Sequence, residues 1–142
     1  MKKIVLLGAA CLVLGACGSG SDSTEPVITP PVTASTTGVW KGTNTSTVMA
    51  PSLATLNLTQ TGTSVAGSYS TALGVTGNVT GTINNAAMTM TITSTTVGCP
   101  GSLAVTATVI TPATGQPSIG YTYSGSTTCG GAETGSGTLI KQ

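Results

Sequence analysis

Val75-Thr76-Gly77-Asn78-Val79-Thr80-Gly81-Thr82-Ile83 decides the fold. Apolar residues and glycine take every odd position, and Thr or Asn every even one. This is the period of a β-strand with one buried and one wet face. The same alternation recurs on both sides. Ala54, Leu56 and Leu58 are separated by Thr55 and Asn57, and Val65, Gly67 and Tyr69 by Ala66 and Ser68. Met88, Met90 and Ile92 alternate with threonines, as do Ile119, Tyr121 and Tyr123 with Gly120 and Thr122. Leu103, Val105, Ala107 and Val109 oppose Ala104, Thr106 and Thr108. With residues 39–43 in front and 135–140 behind, eight strands are predicted, and no helical period follows residue 17.

Turn signals punctuate the strands at Thr61-Gly62, Leu73-Gly74, Asn84-Asn85, Pro100-Gly101, Thr114-Gly115 and Gly130-Gly131. Such short connections force antiparallel neighbours, so the expected fold is all-β, an eight-stranded antiparallel up-and-down meander. Closing it into a barrel removes the two edges that would otherwise pair with other chains. Gly67, Gly77 and Gly81 on the apolar face suit the tight coiling that closure needs. An open β-sandwich is the competing arrangement.

The chain begins differently. Lys2 and Lys3 precede an apolar run at residues 4–16, which is the anatomy of a secretory signal peptide. The run is shorter than the about 20 residues a membrane span requires. Leu14-Gly15-Ala16-Cys17 resembles the lipobox of bacterial lipoproteins. The resemblance implies cleavage before Cys17 and lipid attachment to it, with several acyl chains giving stable membrane anchoring. Cys11 is a poorer acceptor, because Gly8 stands where the lipobox has Leu. Gly18 in place of an aspartate implies transfer onward to an outer membrane. The next stretch holds Pro26, Pro30 and Pro31, many Ser and Thr, and no aromatic residue. It reads as an extended spacer. The expected organisation is therefore 1–16 signal peptide, 17–37 lipid-anchored linker and 38–142 β-barrel domain.

Export permits disulfides, and with Cys11 and Cys17 accounted for, Cys99 and Cys129 remain. In a meander the connections after the fifth and seventh strands lie at one end, so the two can meet. A metal site is the rival reading, opposed by the absence of any His in the sequence.

Gly38-Val39-Trp40 at the start of the first strand resembles the opening motif of the calycins, the lipocalin- and avidin-like barrels. That resemblance implies a barrel plugged at one end by Trp40. A basic residue on the last strand would cover the indole, and Lys141 stands where antiparallel closure would put it. The chain departs from the pattern in having no further tryptophan, so no calycin ligand is carried over. If the interior holds a cavity, Tyr69, Met88, Met90, Tyr121 and Tyr123 are its expected lining; otherwise they fill the core, as eight-stranded barrels allow.

Charge excludes whole classes of function. Charged residues are 5% of the chain, and from residue 38 onward only Lys41, Glu133 and Lys141 carry charge. No basic face exists to meet nucleic-acid phosphates. With no His and Glu133 the sole acid after the linker, paired acid–base chemistry has no candidates and no enzyme is expected. No cofactor or metal is implied. The threonines of the outer face lack the apolar band of a membrane-embedded barrel. The Asn44, Asn57 and Asn78 sequons read as accidents of a sequence with 30 threonines. The expected function is a lipid-anchored envelope protein whose β-domain is a non-catalytic binding or interaction module with an unknown protein or small-molecule partner. A carrier of a small apolar ligand is one alternative. The other is a periplasmic hydrolase inhibitor presenting residues 97–101.

Overall fold

In a computed structural model, described for residues 35–142, the eight strands are β1 (Gly38–Ser46), β2 (Ser52–Thr61), β3 (Ser64–Thr71), β4 (Thr76–Asn84), β5 (Ala87–Ser94), β6 (Gly101–Ile110), β7 (Ser118–Thr127) and β8 (Gly131–Lys141). Each pairs antiparallel with its sequence neighbours, and β8 returns to pair with β1 in a closed barrel. The meander is therefore a barrel and not a sandwich. The expected signal segment, Cys17 and the linker up to residue 34 lie outside the described residues.

The alternation places side chains as expected. Leu56, Leu58, Val65, Val79, Ile83, Met88, Ile119 and Leu139 point inward and are buried, while threonines cover the outer wall. Asn85 turns between β4 and β5 with φ 55°, a left-handed conformation that Asn tolerates better than most residues.

Two boundaries differ from the sequence reading. β1 runs on to Ser46 and β8 starts at Gly131, so both are longer than the 39–43 and 135–140 segments. The extensions bring Asn44 and Glu133 onto the inner face, in phase with Trp40 and Leu139. The expected domain start at residue 38 also falls inside the folded unit. Thr36 is fully buried, and its N–H and hydroxyl both donate to Gln60 Oε1 on β2, at 2.9 and 3.0 Å.

The core holds no Phe, and tyrosines supply much of its bulk. They fit because glycines face them across the ladder. Tyr121 lies opposite Gly137 and Tyr123 opposite Gly135. A Cβ on Gly137 would come within 2.5 Å of the Tyr121 hydroxyl, and one on Gly135 would overlap the Tyr123 ring. The two rings stack with centroids 6.3 Å apart. Tyr121 donates to Asn44 Oδ1 at 2.9 Å, and this bond satisfies two buried polar groups at once.

Candidate functional site

An antiparallel meander sorts its connections by parity. The β2–β3, β4–β5 and β6–β7 turns lie at one end of the barrel with residue 35 and the C-terminus. The β1–β2, β3–β4, β5–β6 and β7–β8 turns lie at the other. The two ends are built differently.

The first end is plugged. Trp40 has no exposed surface, and its indole N–H donates to the Thr36 carbonyl at 2.8 Å. Lys141, directly opposite Trp40 in the β1–β8 ladder, holds Nζ 5.5 Å from the ring centroid. Its ammonium also donates to the Ser35 carbonyl at 3.4 Å. Gly38 has φ +135°, and the lysine stem lies where its Cβ would be, with Cε 3.1 Å away. Glycine is thus favoured at the first position of Gly-x-Trp by its backbone conformation, and a Cβ there would also press on the flexible end of Lys141. Residues 35–37 close this end like a strap.

The second end is open. Cys99 and Cys129 are joined across it, with Cα atoms 5.1 Å apart. The bridge continues the β6–β7 ladder: Gly101 pairs with Thr127, the Thr128 N–H donates to the Pro100 carbonyl at 2.9 Å, and the two cysteines come next. Beside it opens a pocket of about 150 Å³, walled by Val48, Met49, Val75, Ser94, Thr96, the cysteine bridge, Thr127, Gly130 and Glu133. A smaller hollow of about 20 Å³ shares Met49, Val75, Ser94, Thr127 and Glu133, and reaches Tyr69, Tyr123, Ile92 and Leu103. Glu133 is only 5% exposed, and the Ser46 hydroxyl donates to its Oε2 at 3.1 Å. Tyr123 donates to the Thr45 carbonyl at 3.2 Å. Burial pushes the Tyr69 phenol well above its usual range, and the Tyr121 and Tyr123 phenols and the Glu133 carboxylate add to the shift. The rim carries exposed Val48, Leu53, Leu73 and Val97, the last 98% exposed on the loop that the bridge pins.

Of the residues singled out from the sequence, Trp40 and Lys141 meet at the plug, and Cys99 and Cys129 are bonded at the mouth. Tyr69 and Tyr123 border the mouth hollow, whereas Met88, Met90 and Tyr121 belong to the packed core and line neither mouth space. Cys17 lies outside the described residues. Glu133, Ser46, Thr36 and Gln60 were not singled out as site residues. The signal for Glu133 was available: it shares the parity of Gly135, Gly137 and Leu139, so any extension of β8 turns it inward. Shallow depressions on the outer wall are lined by threonines and glycine, such as Thr106, Thr108, Gly120, Thr122 and Thr138, and lie wide open. No known protein family, no curated protein and no solved structure matches the chain.

Proposed function

We propose that the protein is a lipid-anchored binding module of the bacterial cell envelope, held in the outer membrane through Cys17, with the mouth of its barrel as the non-catalytic binding face. One observation carries the reading: the only acidic side chain among the described residues is buried at the mouth, beside a pocket ringed by exposed apolar loop tips. The other end is closed by Trp40, Lys141 and the 35–37 strap, and the chain joins the barrel there. A tether attached at the plugged end leaves the mouth as the face directed away from its anchor. Interior carriage of an apolar ligand is the weaker reading, because the mouth spaces of about 150 and 20 Å³ fall short of the about 300–1,000 Å³ of a drug-sized site. Inhibition of an envelope hydrolase remains a second reading on one specific ground, the Val97 side chain held almost fully in solvent on a disulfide-pinned loop.

The anchor is tested by fatty-acid labelling in cells, which should vanish in Cys17→Ala; labelling that persists would move the acceptor elsewhere. The binding face is tested by placing a photo-crosslinking residue at Val97 or at Ile110, which is exposed at the plugged end. Adducts from position 97 and none from 110 are expected. The reverse pattern would show that the mouth is not the binding face.

A further inference from the structure

Glu133 has no counter-charge among the described residues. From residue 38 onward the other charged side chains are Lys41 and Lys141. Lys41 is exposed on the outer face of β1, and Lys141 covers Trp40 at the far end. Lys141 lies eight residue steps beyond Glu133 on β8, which is roughly 26 Å at the usual strand rise and well beyond the distance over which salt leaves charges coupled. The Ser46 hydroxyl donates to Oε2, whereas Oε1 takes no hydrogen bond from the described residues; none of their buried side-chain oxygens or nitrogens lacks a partner, so Oε1 is reached by solvent. Glu133 is thus a pocket-lining carboxylate, largely shielded yet open to what enters the pocket, with no protein cation beside it. A cation of the right size entering the pocket would meet a negative charge that bulk water screens only in part.

Resting on the mouth as the binding face, we propose that the pocket takes a primary ammonium group on a short alkyl stem, with Glu133 as its counter-ion. An ammonium brings three N–H donors and no acceptor. Glu133 and Ser94 line the pocket and Tyr69 the adjoining hollow, so one carboxylate and two hydroxyls are its candidate acceptors, the Ser94 hydroxyl with one lone pair already taken by the Thr96 N–H at 3.3 Å; Met49 and Val75 are apolar walls for the stem. Tyr69 makes no hydrogen bond to the described residues, and its hydroxyl keeps contact with solvent although the ring is buried. A guanidinium fits less well, because its planar fork wants both carboxylate oxygens and Ser46 holds one. A hard metal ion fits less well again. It asks for six or more oxygens, and no group of three His, Cys, Asp or Glu exists among the described residues. The volume of about 150 Å³ suits a side-chain-sized group. A free alkylamine and a partner's lysine side chain present the same chemistry.

Calorimetry of the full-length protein with n-butylammonium, 1-butanol, calcium and a terminally blocked Gly-Lys-Gly peptide tests this. Butylammonium is expected to bind one to one, and butanol not measurably. Glu133→Gln should weaken butylammonium about 10–100-fold, the range of a hydrogen bond to a charged group. Tyr69→Phe should weaken it by a smaller factor, and Lys141→Gln should leave it unchanged. Thermal melts of each variant separate lost binding from lost folding, and Tyr69→Phe carries the test if Glu133→Gln does not fold. A peptide that binds as well as butylammonium assigns a partner's lysine; an amine that binds where the peptide does not assigns a small free amine. Butanol binding as tightly as the amine, or calcium displacing it, would overturn the ammonium assignment, as would the absence of amine binding. None of these results bears on whether adducts form at Val97, so the mouth as binding face stands or falls separately.

Discussion

Replacing Cys99 and Cys129 together by serine removes a cross-link between residues 30 apart in sequence. In chain-entropy arithmetic, a closed loop of this length restrains the unfolded ensemble by about 3–4 kcal/mol at 25 °C. The folded state gives little of that back. The bridge extends a ladder already in register, and the Thr128–Pro100 backbone bond holds the two chain segments together without it. The loss therefore falls almost wholly on the unfolded side. For a domain near 100 residues it corresponds to a fall of about 15 °C in Tm. Urea unfolding of the full-length oxidised protein and the double serine variant, followed by far-ultraviolet circular dichroism, measures it. The variant should unfold cooperatively at a clearly lower midpoint, with a denaturant slope that stays equal or rises as the unfolded chain expands. A difference under about 1 kcal/mol would refute the reasoning, because the unfolded chain would then be as restricted without the bridge as with it.

Other expectations rest on single positions. Gly137→Ala drives a methyl against the Thr43 backbone carbonyl and the Tyr121 hydroxyl, and should cost about 1–3 kcal/mol as an overpacked site, measured by urea unfolding; a neutral result would mean that both Tyr121 and the β1 backbone at Thr43 yield. Lys141→Ala should cost only about 0.5–1 kcal/mol for the lost cation over Trp40, whereas Trp40→Ala should cost about 3–5 kcal/mol and release the 35–37 strap to proteolysis. Burial raises the phenols of Tyr69 and Tyr121 well above their ordinary value of 10.0. The unfolded chain then ionises these groups before the barrel does, so stability should be level below about pH 10 and fall as the pH rises beyond it. Urea midpoints at pH 9, 10 and 11 check the direction, and Tyr69→Phe should flatten part of the slope.

The architecture was legible because two independent signals agreed. Period-two alternation set which residues face inward, and connections too short for a crossover set antiparallel order. Closure then put Lys141 beside Trp40 and brought the cysteine loops to one end, as the structure shows. Strand ends were not legible. Gly131-Ala132-Glu133-Thr134 follows a Gly-Gly turn and has one β-branched residue, so it reads as more turn. It becomes strand because β7 offers it a partner through Ser124 and Ser126. The same dependence on register hid the difference between Tyr69, at the mouth, and Tyr121, in the core. Their alternation is identical. Both face a glycine, Gly77 and Gly137, but Tyr69 sits near the mouth end of β3 while Tyr121 lies deeper on β7 and bonds Asn44, a difference that appears only once the strands are aligned.

The mouth as the binding face, with Glu133 at its centre, is tested most directly by repeating the Val97 cross-link in cells with Glu133→Gln. The expected result is that the adduct seen in the parent protein falls sharply while the amount of folded, oxidised protein stays the same. An undiminished adduct would contradict a partner's lysine seated on Glu133, and an adduct from Ile110 alone would place the binding face at the other end of the barrel.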